Sequence, residues 1–386
     1  MSVKNILFTV FDLNDTNYMK MPWVLFMKTL PIIAEKMPIV RFYILTDTKN
    51  CITVKKLIEK ENLKVISVSK PILRYPYKGL LGTLKTLHEK LSIDTLVALS
   101  GWNLSVWKSV VNKLRINNLV LIVLTPVYKL NELSKISMDY LTSYLKYGEL
   151  IDLIYFIKLI FENIIMRYFL KAVGSLDKLK VIVASENSRA LFQRHGFESF
   201  KISFKLKFNI AQDLTFSSQH KDIPIIAYFG PPLMARGYDM VLELARASQD
   251  MNYVLNLREP LPLIVRKRIK HKDIRNLKIV TKFFRSTEEL VDEARKYDLI
   301  LLPFRFVVSD FPLVVIELLC SGKLVITTQY SHIDVVKAPN LIMLDLAQVK
   351  KPNIIKRLAK KRIKIPMKSC CLDWEFVANE LIRFLA

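Results

Sequence analysis

Glycine, histidine and cysteine are scarce in this chain of 386 residues, which contains nine, five and four of them. The cysteines lack zinc-ligand or C-x-x-C spacing, because Cys370 and Cys371 are adjacent while Cys51 and Cys320 stand alone. This spacing argues against a cysteine-held metal site and predicts reduced thiols in an intracellular compartment. Each of the few glycines is expected to meet a backbone requirement at its position.

Uncharged apolar runs long enough to span a membrane are also lacking. The longest apolar region, residues 150–172, is broken by Asp152, Lys158, Glu162 and Arg167. Their spacing predicts an amphipathic helix, which could pack on the core or lie on a membrane surface. The first apolar run, residues 6–11, is too short for a signal peptide. We therefore expect a cytoplasmic protein that can contact the inner face of the membrane.

Positive charge is abundant, since 59 Lys and Arg face 35 Asp and Glu and give a net charge of +24. A field of this sign favours anionic partners such as phosphates, acidic lipids or nucleic acid. The densest basic runs are residues 266–278 and 356–368. They are expected to be solvated helix faces, with a membrane surface or a polyanionic acceptor as the alternative. Nucleic acid is the least favoured partner, because aromatic residues do not interleave these runs.

Apolar strand patterns alternate with helical patterns along the whole chain, which is typical of an α/β fold with parallel sheets. The length suggests two domains. The polar segment 207–222 lacks a clear period and marks the expected boundary. Each half is predicted to form a doubly wound domain of the Rossmann type, which binds ligands at the carboxyl ends of its strands.

The first segment with recognisable chemistry is residues 228–239, Y-F-G-P-P-L-M-A-R-G-Y-D. A predicted strand ends at Gly230, and Arg236 and Gly237 open the next helix. A glycine at a strand end lets the backbone approach a ligand, and an arginine there offers a fork of donors to phosphate oxygens. Taken alone, the segment also fits a plain turn with a surface arginine.

The second segment is residues 303–328, in which a loop joins two apolar strands through a short helix. Pro312 suits the first turn of that helix, whose N-terminus can receive an anion. Glu317 is the one carboxylate among apolar residues, and it can accept hydrogen bonds from a ribose diol. A salt bridge to a basic neighbour is the alternative for Glu317. Together the two segments suggest a nucleotide.

These segments resemble the donor site of group-one glycosyltransferases of the GT-B fold, in an archaeal-like form. Residues 230–237 match the spacing of the family's G-R-x-x-x-x-K-G loop, with Arg236 in place of the lysine and Pro231 in place of the arginine. Residues 309–317, S-D-F-P-L-V-V-I-E, resemble E-G-F-P-L-x-x-x-E, and Ser309 stands where the first glutamate is expected. Residues 183–196 and 373–385 resemble the family's V-S-E strand–helix and its closing helix.

The resemblance implies two Rossmann-like doubly wound domains facing across a cleft. Residues 1–207 would form the acceptor-side domain, residues 208–368 the domain that binds a nucleotide-sugar, and residues 369–386 a closing helix that packs back on the first domain. It further implies a hexosyltransferase that retains anomeric configuration, needs neither a metal nor another cofactor, and acts on a glycan, lipid-linked or protein-linked acceptor. Because the first motif glutamate is replaced, a catalytically weakened nucleotide-sugar-binding relative is the alternative.

The site residues follow from the same resemblance. Arg236 would stabilise the leaving diphosphate, and Ser309 or Asp310 would act in place of the missing glutamate. The expected donor-binding residues are Gly230, Arg236, Gly237, Arg305, Phe311, Pro312, Leu313 and Glu317, with Arg305 as the partner of Asp310. Gly101, Trp102 and Asn103 follow a predicted strand and are acceptor-side candidates, although a simple turn is the alternative for them.

Overall fold

A computed structural model of the chain gives the fold. The structure describes residues 4–9, 21–47, 51–68, 79–99, 109–110, 112–124, 126–173, 179–210, 223–257, 274–282, 284, 286–307, 312–333, 336, 338–360 and 367–385. Within these ranges the chain divides into two compact units. The first contains residues 1–128, 161–204 and 373–386, and the second contains residues 129–160 and 205–372.

The first unit is built on a parallel sheet of seven strands in the order β3-β2-β1-β4-β5-β6-β7. Its strands are β1 (Asn5–Thr9), β2 (Arg41–Asp47), β3 (Leu63–Val68), β4 (Thr95–Leu99), β5 (Asn118–Val123), β6 (Leu179–Val183) and β7 (Glu198–Lys201). Strands β1, β5 and β6 are mostly apolar and almost wholly buried, as expected where helices cover both faces of a parallel sheet.

The second unit has a parallel sheet of six strands in the order β11-β10-β9-β12-β13-β14. Its strands are β9 (Ile225–Gly230), β10 (Asn252–Leu257), β11 (Leu277–Thr281), β12 (Leu299–Leu302), β13 (Leu324–Thr328) and β14 (Leu341–Leu344). A separate antiparallel ribbon pairs β8 (Leu206–Ile210) with β15 (Met367–Leu372). The alternation of strands and helices thus gives the two parallel sheets that the sequence predicts.

The described helices connect these strands. They are α1 (Met21–Lys36), α2 (Cys51–Ile58), α3 (Leu80–Leu91), α4 (Leu130–Tyr147), α5 (Leu150–Val173), α6 (Glu186–Arg194), α7 (Tyr238–Ala247), α8 (Thr287–Ala294), α9 (Leu313–Leu319), α10 (Leu346–Val349), α11 (Pro352–Lys360) and α12 (Trp374–Leu385). In the described part of the chain, none is long and apolar enough to cross a membrane.

The C-terminal helix α12 packs within the first unit, as predicted for the closing helix. Lys36 at the end of α1 forms an ion pair of 2.8 Å with Glu375, and its ammonium also donates to Asn379. Lys4 donates to the carbonyl oxygen of Leu385 at 2.7 Å. These contacts fix both ends of α12 to the unit that contains the first sheet.

Residues 129–160 pack with the second unit, although the predicted boundary at residue 207 places them in the first domain. They form α4 and the first turns of α5, joined by Gly148 and Glu149. We call this segment the helical hairpin. Tyr140 fixes it, since its ring stacks on Phe156 with centroids 4.7 Å apart and its hydroxyl donates to the carbonyl oxygen of Asp152 at 2.7 Å.

Cysteine chemistry differs from the prediction of reduced thiols. Cys51 is a buried free cysteine, but Cys320, which follows α9, is disulfide-bonded. Disulfide formation depends on the approach of two side chains in the folded chain, which spacing in the sequence does not reveal.

Candidate functional site

The carboxyl ends of β9 and β12 mark the switch point of the second sheet. From β9 the chain continues to β10 on one side, whereas β12 pairs with β9 on the other. Loops that leave two such strands diverge and leave a crevice, which is where doubly wound folds bind ligands. Gly230 ends β9 and Pro303 follows β12, so the two segments singled out in the sequence lie side by side at this switch point.

Backbone contacts hold the two loops together. The N–H groups of Arg305 and Phe306 both donate to the carbonyl oxygen of Ala235, at 3.0 and 3.3 Å. Gly237 lies so close to Pro303 that a Cβ at Gly237 would stand 1.9 Å from the Pro303 carbonyl oxygen. The φ of Gly237 is 76°, in the left-handed region that favours glycine. The fold therefore requires glycine at this position.

Arg236 joins the same two loops through its side chain. It ends the short 3-10 helix Met234–Arg236 and is half-buried, with its guanidinium 4.8 Å from the centroid of the Phe304 ring. Helix α7 begins directly afterwards at Tyr238, and no described side chain caps its N-terminus. An arginine beside the N-terminus of a helix is an arrangement that suits a phosphate or diphosphate.

Arg305 is buried among protein partners and does not line a donor site as predicted. Its side chain is completely buried and donates to both carboxylate oxygens of Asp239 at 2.6 Å, to Asp139 and Ser143 at 2.7 Å, and to the carbonyl oxygen of Met234 at 2.8 Å. These five bonds use all five N–H groups of the guanidinium. The structure corrects the donor-binding role predicted for Arg305, because no N–H remains for a ligand.

The ion pairs of Arg305 also fix its protonation. Burial lowers the pKa of Arg305, but the carboxylates of Asp239 and Asp139 outweigh burial and raise that pKa above its ordinary value. Lys350 forms a second ion pair with Asp139. Arg305 therefore stays a cation that ties the loop before α7 to the helical hairpin.

Asp152, on the helical hairpin, is a second buried contact to the loop after β9. Its carboxylate accepts the backbone N–H of Met234 at 2.9 Å and that of Glu149 at 3.2 Å. Burial raises the pKa of Asp152 to about 6, although the two backbone hydrogen bonds lower it. The sequence does not reveal this contact directly; its one signal is a carboxylate inside an apolar stretch, because such a group needs a partner when buried.

Asp152 should make stability depend on pH. Its pKa is higher in the folded chain than in the unfolded one, so the folded state holds the extra proton between about pH 4 and 6. Stability should fall as pH rises through that window, with a slope of at most about 1.4 kcal/mol per pH unit. Asp152→Asn should remove this slope, which urea denaturation at several pH values would measure. The same change at the exposed Asp292 should keep it, and equal slopes in all three proteins would contradict the assignment.

Glu317 lies one turn into α9. Its carboxylate accepts the hydroxyl of Thr287, the first residue of α8, at 2.9 Å. Burial raises the pKa of Glu317, whereas the Thr287 hydrogen bond lowers it. Among the described residues Glu317 forms no ion pair of 4.0 Å or less. Its hydrogen-bond partner is the neutral hydroxyl of Thr287, and not the basic residue that a salt bridge would need.

Several predicted site residues lie outside the described residues: Ser309, Asp310, Phe311, Gly101, Trp102 and Asn103. Pro312 is buried and Leu313 half-buried at the start of α9. Within the described part of the chain, no group of three or more His, Cys, Asp or Glu side chains could hold a metal ion. The described site therefore consists of Gly230, Arg236 and Gly237 on one loop, Pro303 and Phe304 on the other, and Glu317 on α9.

Comparisons with known proteins give likeness of fold at low sequence identity. No protein-family model matches the chain, and no curated protein matches its sequence. The lipopolysaccharide outer core galactosyltransferase WaaB has a TM-score of 0.58 at 10% identity, covering 98% of this chain and 95% of its own. Anabaena Alr3699/HepE in complex with UDP-glucose has a TM-score of 0.54 at 13% identity, covering 97% and 93%.

A protein from Listeria monocytogenes assigned as a UDP-N-acetylglucosamine 2-epimerase has a TM-score of 0.52 at 10% identity, covering 100% of this chain and 96% of its own. The same architecture thus occurs in proteins with different assigned activities, and activity has to be argued from the site. The two parallel sheets and these similarities show that the chain has the two-domain, Rossmann-like α/β architecture of the GT-B fold.

Proposed function

We propose that the protein is a glycosyltransferase that moves a hexose from a nucleotide-sugar to a glycan, lipid-linked or protein-linked acceptor. The observation that carries this proposal is the meeting of two loops at the switch point of the second sheet. Arg236 and the N-terminus of α7 supply positive charge there, and Gly237 lies against Pro303. The fold likeness to a galactosyltransferase and to a protein bound to UDP-glucose supports the same class of donor.

The chemistry asked of these groups is stabilisation of a leaving nucleoside diphosphate. Negative charge grows on the diphosphate as the bond to the sugar breaks, and a fixed guanidinium together with backbone N–H groups can stabilise it. Arg236 is the proposed source of that charge, and Glu317 is proposed to accept hydrogen bonds from the ribose hydroxyls. We further propose transfer with retention and without a bound metal, as in the group-one, archaeal-like enzymes that the motifs resemble.

The remaining site assignments extend this proposal to the sugar and the acceptor. Ser309 and Asp310 would contact the transferred sugar, and the segment 311–313 would line the donor site. The segment 101–103 would contact the acceptor. The proposed location is the cytoplasm, at the inner face of an anionic membrane.

A second candidate is a nucleotide-sugar-binding protein with weakened catalysis. One sequence observation favours it: Ser309 stands where the motif has its first glutamate. Such a protein would bind the donor tightly without transferring or hydrolysing it. Isothermal titration combined with an assay for released nucleoside diphosphate separates the two candidates.

The test uses a panel of nucleotide-sugars, because a ligand that binds only the folded state raises the melting temperature. With the donor found in this way, Arg236→Met should lower kcat by about 10²–10³-fold, since it removes one charged stabiliser of the leaving group. Glu317→Gln should weaken donor binding by about tenfold or more, because a charged hydrogen-bond acceptor is lost. Release of nucleoside diphosphate, followed against donor concentration, measures both effects.

Arg295→Met and Glu289→Gln are the matched controls, because Glu289 on α8 and Arg295 directly after α8 are both exposed. Both controls should keep wild-type kinetics. Full activity in the Arg236 and Glu317 variants would show that the site is assigned wrongly. A nucleotide-sugar whose sugar is epimerised without release of nucleoside diphosphate would overturn the proposed reaction.

A further inference from the structure

The outer face of the helical hairpin is exposed and apolar. On the hairpin part of α5, exposed side chains recur at intervals of four and three residues: Leu150, Ile154 and Ile157. On α4 the same spacing exposes Met138, Leu141 and Leu145, the last with 89% of its surface accessible. Such spacing places each set along one side of its helix. We call these two sets the apolar stripe.

The apolar stripe is not needed for the core of the protein, because the opposite sides of the same helices are buried. Ile136 and Tyr140 on α4 and Phe156 and Leu159 on α5 are all buried. From the sequence, residues 150–172 could either pack on the core or contact a membrane surface. In the structure one side of α5 is buried in the core and the other side is exposed. Contiguous exposed apolar side chains in a folded protein mark an interaction surface.

Charge around the apolar stripe has one sign. Among the described residues of the helical hairpin, the charged side chains classed as exposed are all lysines: Lys129, Lys135, Lys146 and Lys158. Lys146 also forms an ion pair of 3.0 Å with Glu243 on α7. The acidic residues are turned inward or engaged. Asp152 is buried, and Asp139 pairs with Arg305 and Lys350. A partner at this surface therefore meets apolar side chains bordered by positive charge.

We propose that the apolar stripe docks on an anionic lipid surface, with α4 and α5 lying in the plane of the membrane interface. A helix with an apolar side bordered by basic residues binds a bilayer by lying in the interface plane, with its apolar side inserted at the headgroup boundary. Each lysine near such a surface adds to the attraction of anionic headgroups, which salt weakens. The docking surface is independent of the proposed transfer reaction, and its test needs no nucleotide-sugar.

The experiment is flotation of the full chain with phosphatidylcholine vesicles, with and without phosphatidylglycerol. The wild-type protein should float with the anionic vesicles at low salt and much less at high salt. The triple variant Leu145→Gln, Ile154→Gln and Ile157→Gln should lower the bound fraction at least about tenfold, because it removes three apolar contacts with the bilayer. These side chains are exposed, so the variant should fold, which far-UV circular dichroism checks.

A matched control makes the same exchange at three exposed apolar positions elsewhere: Ile39→Gln, Ile52→Gln and Leu57→Gln. This control should float as the wild type does. The proposal is overturned if the wild type stays unbound at low salt, or if the stripe variant and the control float equally well. It is also overturned if the wild type is a dimer that the stripe variant alone dissociates while vesicle binding is absent, since the stripe would then pair two copies of the chain.

Discussion

Replacing Arg305 with methionine should lower the free energy of unfolding by about 3–5 kcal/mol, because the change leaves buried carboxylates without their cation. Asp239 is completely buried, and both of its oxygens accept from Arg305 at 2.6 Å. Asp139 keeps Lys350 as a partner after the substitution, so the uncompensated charge falls mainly on Asp239. The methionine also removes the donors to Ser143 and to the Met234 carbonyl oxygen.

Urea denaturation measures this loss with two probes that follow different parts of the chain. Tryptophan fluorescence follows the first unit through Trp374 on α12, since the sequence ranges of the second unit contain no tryptophan. Far-UV circular dichroism follows both units. We expect the circular dichroism midpoint to fall in Arg305→Met, because the lost ion pairs lie in the second unit.

The exposed pair of Arg295 and Asp292 provides the control for Arg305. Arg295→Met should change the free energy of unfolding by no more than about 1 kcal/mol, as is usual for surface ion pairs. A double variant, Arg305→Met with Asp239→Leu, should recover much of the lost stability, because an apolar pair replaces the buried charges. Equal stability of Arg305→Met and Arg295→Met would refute the structural role of Arg305.

Local patterns in the sequence were sufficient to predict the sheets and the two loops at the switch point. Strand periodicity, and glycines at positions 230 and 237, are properties of short segments, and the structure places both segments at the switch point of the second sheet. The ion-pairing role of Arg305 could not be predicted from such local patterns. The sequence offers Asp310 as its nearest candidate partner, whereas the structure pairs Arg305 with Asp239, 66 residues away, and with Asp139, 166 residues away.

The place of the helical hairpin in the second unit could not be predicted from the sequence for a related reason. Its position in the chain favours the first domain, because consecutive elements usually pack together. Its buried polar contacts, however, lie in the second unit: Asp139 and Ser143 accept from Arg305, and Asp152 accepts from Met234. Such partners become visible only when the fold is known, since hydrogen bonds between distant residues leave no periodic signal in the sequence.

Gly237→Ala should destabilise the second unit by about 2–5 kcal/mol and weaken donor binding. A left-handed conformation costs a residue with a Cβ about 1–2 kcal/mol, and overpacking adds about 1–3 kcal/mol. The Cβ would stand 1.9 Å from the carbonyl oxygen and 2.8 Å from the carbonyl carbon of Pro303, so backbone and not a flexible side chain must move. Movement of Pro303 would separate Phe304 from Arg236, which now lies 4.8 Å from its ring.

Gly82 offers the same substitution with the opposite expected sign. It lies in α3, and a Cβ there would have no neighbour within 4 Å. Gly82→Ala should therefore stabilise the protein by about 0.5–1 kcal/mol, because alanine loses less backbone entropy in a helix. Melting curves with and without the donor compare the two variants. A Gly237→Ala protein that is as stable as Gly82→Ala and binds the donor normally would show that the loops after β9 and β12 do not depend on their close contact at Pro303.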